Sequence, residues 1–160
     1  MKKKTLKFLI TIVLAGCMLS CENRNVANVS MSDSSDLQKY MENVSLDSIF
    51  MSKSKTEEQL QIFNKVGAIY LTNIDIIDGK MVFLMTEDEF LAEGFPKSYY
   101  NSLMRDIDFW NHLIHLEDKR GVNHTKSMLC STIPQFREQL EQGIKYSDIS
   151  AKVRAQKMEQ

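Results

Sequence analysis

Two hydrophobic periods alternate along this chain, and each switch between them marks an element. Between Tyr70 and Met85 apolar residues recur at every second position on both sides of Asp78-Gly79. That dipeptide suits a two-residue type I′ turn, whose central residues both need φ > 0. The spacing predicts a hairpin over about 69–85, pairing Ile77 with Lys80, Ile76 with Met81, Asp75 with Val82 and Ile74 with Phe83. One face then carries Tyr70, Thr72, Ile74, Ile76, Met81, Phe83 and Met85, and the other is mixed. A one-residue slip would turn the apolar set to water. A lone hairpin is marginal in water, so helices must cover that face.

Elsewhere the apolar positions follow the helical spacing i, i+3, i+4, i+7. Leu37, Tyr40, Met41 and Val44 mark a helix from Asp36 onward, and a short turn follows over Ser45–Met51. Thr56 and Gln59 form a capping box for a helix with Leu60, Phe63 and Val66 inward and a stop at Gly67. Thr86-Glu87-Asp88-Glu89 opens a second, shorter helix that Gly94 ends. Pro96 then precedes the longest helix, about 97–119, closed by Gly121. Val122–Thr132 has no clear assignment; Pro134 starts a helix carrying Phe136 and Leu140, and the tail from Ser147 frays. The expected fold class is therefore α+β, mainly helical, with one β-hairpin packed against several helices.

The long helix is apolar on two sides. Tyr100, Leu103, Met104, Ile107, Trp110 and Ile114 form the core stripe, and Phe109, Leu113 and Leu116 a second stripe rotated away from it. The second stripe is either covered by the helix after Pro134 or left for a partner. On the polar side lie Asp108, His112 and His115, at a spacing that could ligate a metal with His124 as a further ligand. The general-base Glu of an H-E-x-x-H helix is absent, and a solvated helix face explains the same residues. Cys130 and His124 could pair as nucleophile and base, but no cysteine-protease signature surrounds them. A small buried hydrophobe is the expected role of Cys130. No phosphate loop or nucleophile elbow is present, and no cofactor is expected.

Composition changes the picture mainly at the N-terminus. The 160 residues are 43% hydrophobic and 26% charged, as in one ordinary globular domain. Residues 1–16 begin with Lys2, Lys3, Lys4 and Lys7 and continue into a short apolar run, the pattern of a secretory signal. Leu14-Ala15-Gly16-Cys17 resembles the lipobox of bacterial lipoproteins, which implies acylation of Cys17, with Cys21 as the alternative. Several acyl chains on one Cys, palmitate among them, would anchor stably. Residues 17–35 then read as a lipidated N-terminus and flexible tether, and 36–160 as a single small domain. Removing the four signal-segment lysines leaves the remainder at −5, against −1 for the whole chain. Without a basic patch, nucleic acid is an unsuitable partner.

The sequence therefore leads to an exported lipoprotein of the bacterial cell envelope, held to a membrane through its N-terminal lipid. That membrane would be the outer one in a Gram-negative source. The domain is expected to be a non-enzymatic protein-interaction or accessory module, with the hairpin edges able to accept a partner's strand. Two alternatives stand beside it. One is a small envelope enzyme or metal-binding protein using His112, His115 and Asp108. The other is an immunity-type inhibitor of a toxin or lysozyme-like enzyme, plugging a cleft with an acidic loop such as Thr86–Glu89.

Overall fold

A computed structural model describes residues 34–158, the side chains of 34–36 and 156–158 excepted. The lipobox cysteines Cys17 and Cys21, and most of the tether, lie outside the described residues. Among the described residues seven helices surround one hairpin, in the order α1 (Ser34–Asn43), α2 (Leu46–Met51), α3 (Glu57–Thr72), β1 (Ile74–Ile77), β2 (Lys80–Phe83), α4 (Glu87–Ala92), α5 (Lys97–Asp118), α6 (His124–Glu141) and α7 (Tyr146–Met158). The mainly helical α+β class is as expected. None of the described helices is long and apolar enough to cross a membrane.

The hairpin has the expected register, Ile74 opposite Phe83 through Ile77 opposite Lys80. Its turn residues Asp78 and Gly79 take φ of 51° and 77°, as type I′ geometry requires. Ile74, Met81 and Phe83 are buried, whereas Asp75, Ile77 and Lys80 face outward. The hairpin begins later than expected, however, because α3 runs on through Thr72. Tyr70 and Leu71 are thus buried helical residues rather than strand residues. Gly67 does not stop the helix. It lies inside α3 and is packed under α7, where a β-carbon would sit 2.2 Å from Tyr146 Cδ1. The glycine serves a close helix–helix approach rather than a positive φ. On α3 Phe63 and Val66 are buried as expected, and Ile62 and Tyr70 join them in place of Leu60, which is 39% exposed.

Both predicted capping boxes are formed, Thr56 with Gln59 and Thr86 with Glu89. The later helices differ from expectation. The unassigned segment after Val122 is helical from His124, and Pro134 lies inside α6 instead of starting it. Proline's missing N–H frees the carbonyl of Cys130, and Cys130 is exposed, so water can satisfy that group. The same exposure removes the buried role expected of Cys130. The C-terminal segment forms the described helix α7, with Ile149 buried, in place of a frayed tail. Two helix starts are capped from neighbouring helices. Glu117 Oε2 accepts from Thr125 N at 2.6 Å, and Asn64 Oδ1 accepts from Ser147 N at 2.7 Å.

One core joins these elements, with Trp110, Tyr99 and Phe90 its largest fully buried side chains. Phe83 meets Tyr70 and Tyr100 at ring-centroid distances of 6.0 Å, so the hairpin face is covered by α3 and α5 together. Every contact named here is made within residues 34–158, so a chain lacking residues 1–21 keeps all of them.

Candidate functional site

The hairpin edges come first, because strand addition was the expected mode of binding. In this register the backbone groups of Ile74, Ile76, Met81 and Phe83 point away from the partner strand. Asn111 of α5 occupies the outer edge of β2. Its Oδ1 accepts from Met81 N at 2.7 Å and its Nδ2 donates to Met81 O at 2.9 Å. Arg137 of α6 covers β1, donating from Nη2 to Ile74 O at 2.6 Å. The Asp75 carboxylate accepts from Ile76 N at 2.8 Å. The protein's own side chains therefore take up part of each edge, at Met81 on β2 and at Ile74 and Ile76 on β1.

The sequence-predicted chemical residues do not converge either. Asp108, His112 and His115 are exposed on the outer side of α5. His124 is the first residue of α6, and six residues of helix place it on a different face from Cys130. Among the described residues no three His, Cys, Asp or Glu side chains come together in a way that could hold a metal ion. The acidic Thr86–Glu89 stretch is not a free loop. Glu89 is engaged by Thr86 N at 2.7 Å, which lowers its pKa, and Glu87 accepts from Lys97 Nζ at 2.7 Å. On the second apolar stripe, Phe109 is exposed and packs edge-on against Trp110, while Leu113 and Leu116 are half-buried.

What the helices do build is a central cleft of about 350 Å³, at the lower end of the usual ligand-pocket range. Its floor is the hairpin side of the core, with Ile74, Met81 and Leu71. Leu103 and Trp110 of α5 form one wall, and Leu129, Ile133 and Phe136 of α6 another. Tyr146, Ile149 and Val153 of α7 face Leu46, Phe50 and Met51 of α2. Met51 is 55% exposed and Asp47 is exposed, so the cleft reaches solvent beside α2.

Few polar groups enter this apolar space. Asp106 lies on the core stripe of α5, three residues after Leu103 and four before Trp110, and it lines the cleft. The Tyr70 hydroxyl at the end of α3 donates to Asp106 Oδ2. Burial pushes the Asp106 carboxyl above its ordinary pKa, against the opposing pull of hydrogen bonds from Tyr70 and Trp110, with Asp47 adding a smaller upward push. Tyr70 is itself held well above the usual phenol range, by burial first and by the Asp106 charge second. Ser150 of α7 also lines the cleft; it is 3% exposed, and its Oγ has no hydrogen-bond partner. Sequence reasoning passed over Asp106 and Ser150 and gave Tyr70 to the apolar face of the hairpin. The available signal was an acid on an otherwise apolar helical stripe, which amphipathic spacing does not explain.

The cleft offers apolar walls with the Asp106 carboxyl and the Tyr70 and Ser150 hydroxyls among them. Asp106 has hydrogen-bonding partners but no His, Cys or Lys beside it among the cleft residues. Ser150 has no base within hydrogen-bonding distance. Compared with known protein families, curated protein sequences and solved structures, the chain matches none.

Proposed function

We propose that this chain is an exported, lipid-anchored module of the bacterial cell envelope that binds an apolar ligand and catalyses nothing. The central cleft carries the reading. A solvent-reached space of about 350 Å³ with apolar walls is retained in the middle of a small domain, although natural interiors normally close-pack. Filling it would add dispersion contacts and apolar burial, so leaving it open forgoes stability. Binding a ligand there is the function that accounts for that loss.

The anchor rests on Leu14-Ala15-Gly16-Cys17. Acylation at Cys17 would hold the domain at a membrane surface, where amphiphiles are concentrated. The reading is tested by titrating 1-octanol into the chain lacking residues 1–21 while following Trp110, the single tryptophan and a cleft residue. Saturable change in Trp110 fluorescence is the expected result. A linear or absent response at concentrations up to the solubility of the alcohol would contradict it. For the anchor, metabolic labelling with a palmitate analogue should disappear in Cys17→Ala and persist in Cys21→Ala.

A further inference from the structure

The charge inventory of the cleft narrows the ligand further, and this step rests on the binding role just proposed. None of the residues lining the cleft is a Lys, Arg or His. Two are acids. Asp47 at the rim is neutralised by Arg105 Nη2 at 2.9 Å. Asp106, deeper in, forms no ion pair with any described cation. Its hydrogen bonds come from Tyr70 and Trp110, both neutral donors, and a largely desolvated carboxylate without a cation is costly. Proteins usually meet that situation by supplying Arg or Lys, and here nothing in the cleft does so.

We infer that the cleft takes a small cationic amphiphile, an apolar chain ending in a protonated amine, with the ammonium against Asp106 and the chain along the apolar walls. The volume sets the length. A space of about 350 Å³ holds on the order of ten groups the size of a water or methylene. That accommodates an amine with about eight carbons. An ammonium has three donors and no acceptor, so it suits a cleft whose free polar atoms can accept. The Asp106 carboxylate supplies such acceptors. Burial drives Asp106 toward its neutral form, and an ammonium beside it reverses that drive by direct charge attraction. A fatty acid would meet the opposite situation, two carboxylates in one apolar space.

Calorimetric titration of octylamine, 1-octanol and octanoate at neutral pH separates this inference from the reading beneath it. All three have the same chain and stay below micelle-forming concentrations at the levels required. Octylamine is expected to bind at least about tenfold more tightly than 1-octanol, the factor that one charge-assisted contact supplies. Octanoate should be the weakest. In Asp106→Asn the amine and the alcohol should bind about equally, while in Ser150→Ala the preference for the amine should persist. Equal binding of amine and alcohol by the parent chain, or octanoate binding best, would overturn the charge assignment and leave the apolar cleft intact. A preference for the amine that survives in Asp106→Asn would overturn the assignment as well. Binding of none of the three would overturn both this inference and the proposed function.

Discussion

At position 106 an acid stands where the stripe of α5 otherwise presents Leu103, Ile107 and Trp110. Its carboxyl is raised above the ordinary 3.8 in the folded chain, mainly by burial. A group whose pKa rises on folding supports the folded state most below its unfolded value and withdraws that support as pH climbs through the folded one. Asp106→Asn keeps an acceptor for Tyr70 and cannot ionise. Urea midpoints should therefore show the variant gaining on the parent as pH rises from 3 toward 7. A difference that does not change with pH would mean that the carboxyl is not held up. Gly67 makes a second residue-scale prediction. Helix propensity alone would favour Ala there by about 1 kcal/mol, yet the new methyl would meet the Tyr146 ring at 2.2 Å. Gly67→Ala should destabilise by about 1–3 kcal/mol, as overpacking does. In a Tyr146→Ala background the same change should be stabilising. A stabilising Gly67→Ala in the parent chain would place α3 and α7 farther apart than described.

At the scale of elements, the hairpin was readable and its boundaries were not. Asp78-Gly79 and strict alternation are local signals, and they specify both the register and the buried face. Where α3 ends is decided by burial of Tyr70 and Leu71 against other elements, which no window around Gly67 records. The side chains bonded to the strand edges, Asn111 at Met81 and Arg137 at Ile74, lie 30 and 63 residues away from their partners. The turn before α6 was illegible for a related reason: its cap, Glu117, belongs to the preceding helix. The cleft is still less local, since α2, α3, the hairpin and α5 to α7 all contribute to it. Two substitutions test the hairpin. Phe83→Ala should cost about 3–5 kcal/mol, as truncation of a buried aromatic does. Asn111→Ala should cost about 1–3 kcal/mol, because the N–H and C=O of buried Met81 lose their partner. An Asn111→Ala chain within about 0.5 kcal/mol of the parent, the range of ordinary surface changes, would mean that α5 does not hold the edge.

At the scale of the whole molecule, the proposed anchor and the cavity built by the fold belong together. The N-terminal resemblance to a lipobox would bring the domain to a membrane, and the helices enclose an apolar space with one uncompensated acid. Other apolar surfaces compete for the role of binding site, above all Phe109 with Leu113 and Leu116 on the outer side of α5. The direct measurement is a set of intermolecular nuclear Overhauser effects between octylamine and the isotope-labelled chain lacking residues 1–21. The account predicts contacts from the alkyl chain to the methyl groups of Ile74, Leu103, Ile133 and Ile149, all of which line the cleft. Contacts confined to Leu113, Leu116 and the Phe109 ring would contradict it and move the binding surface to the outer face of the long helix.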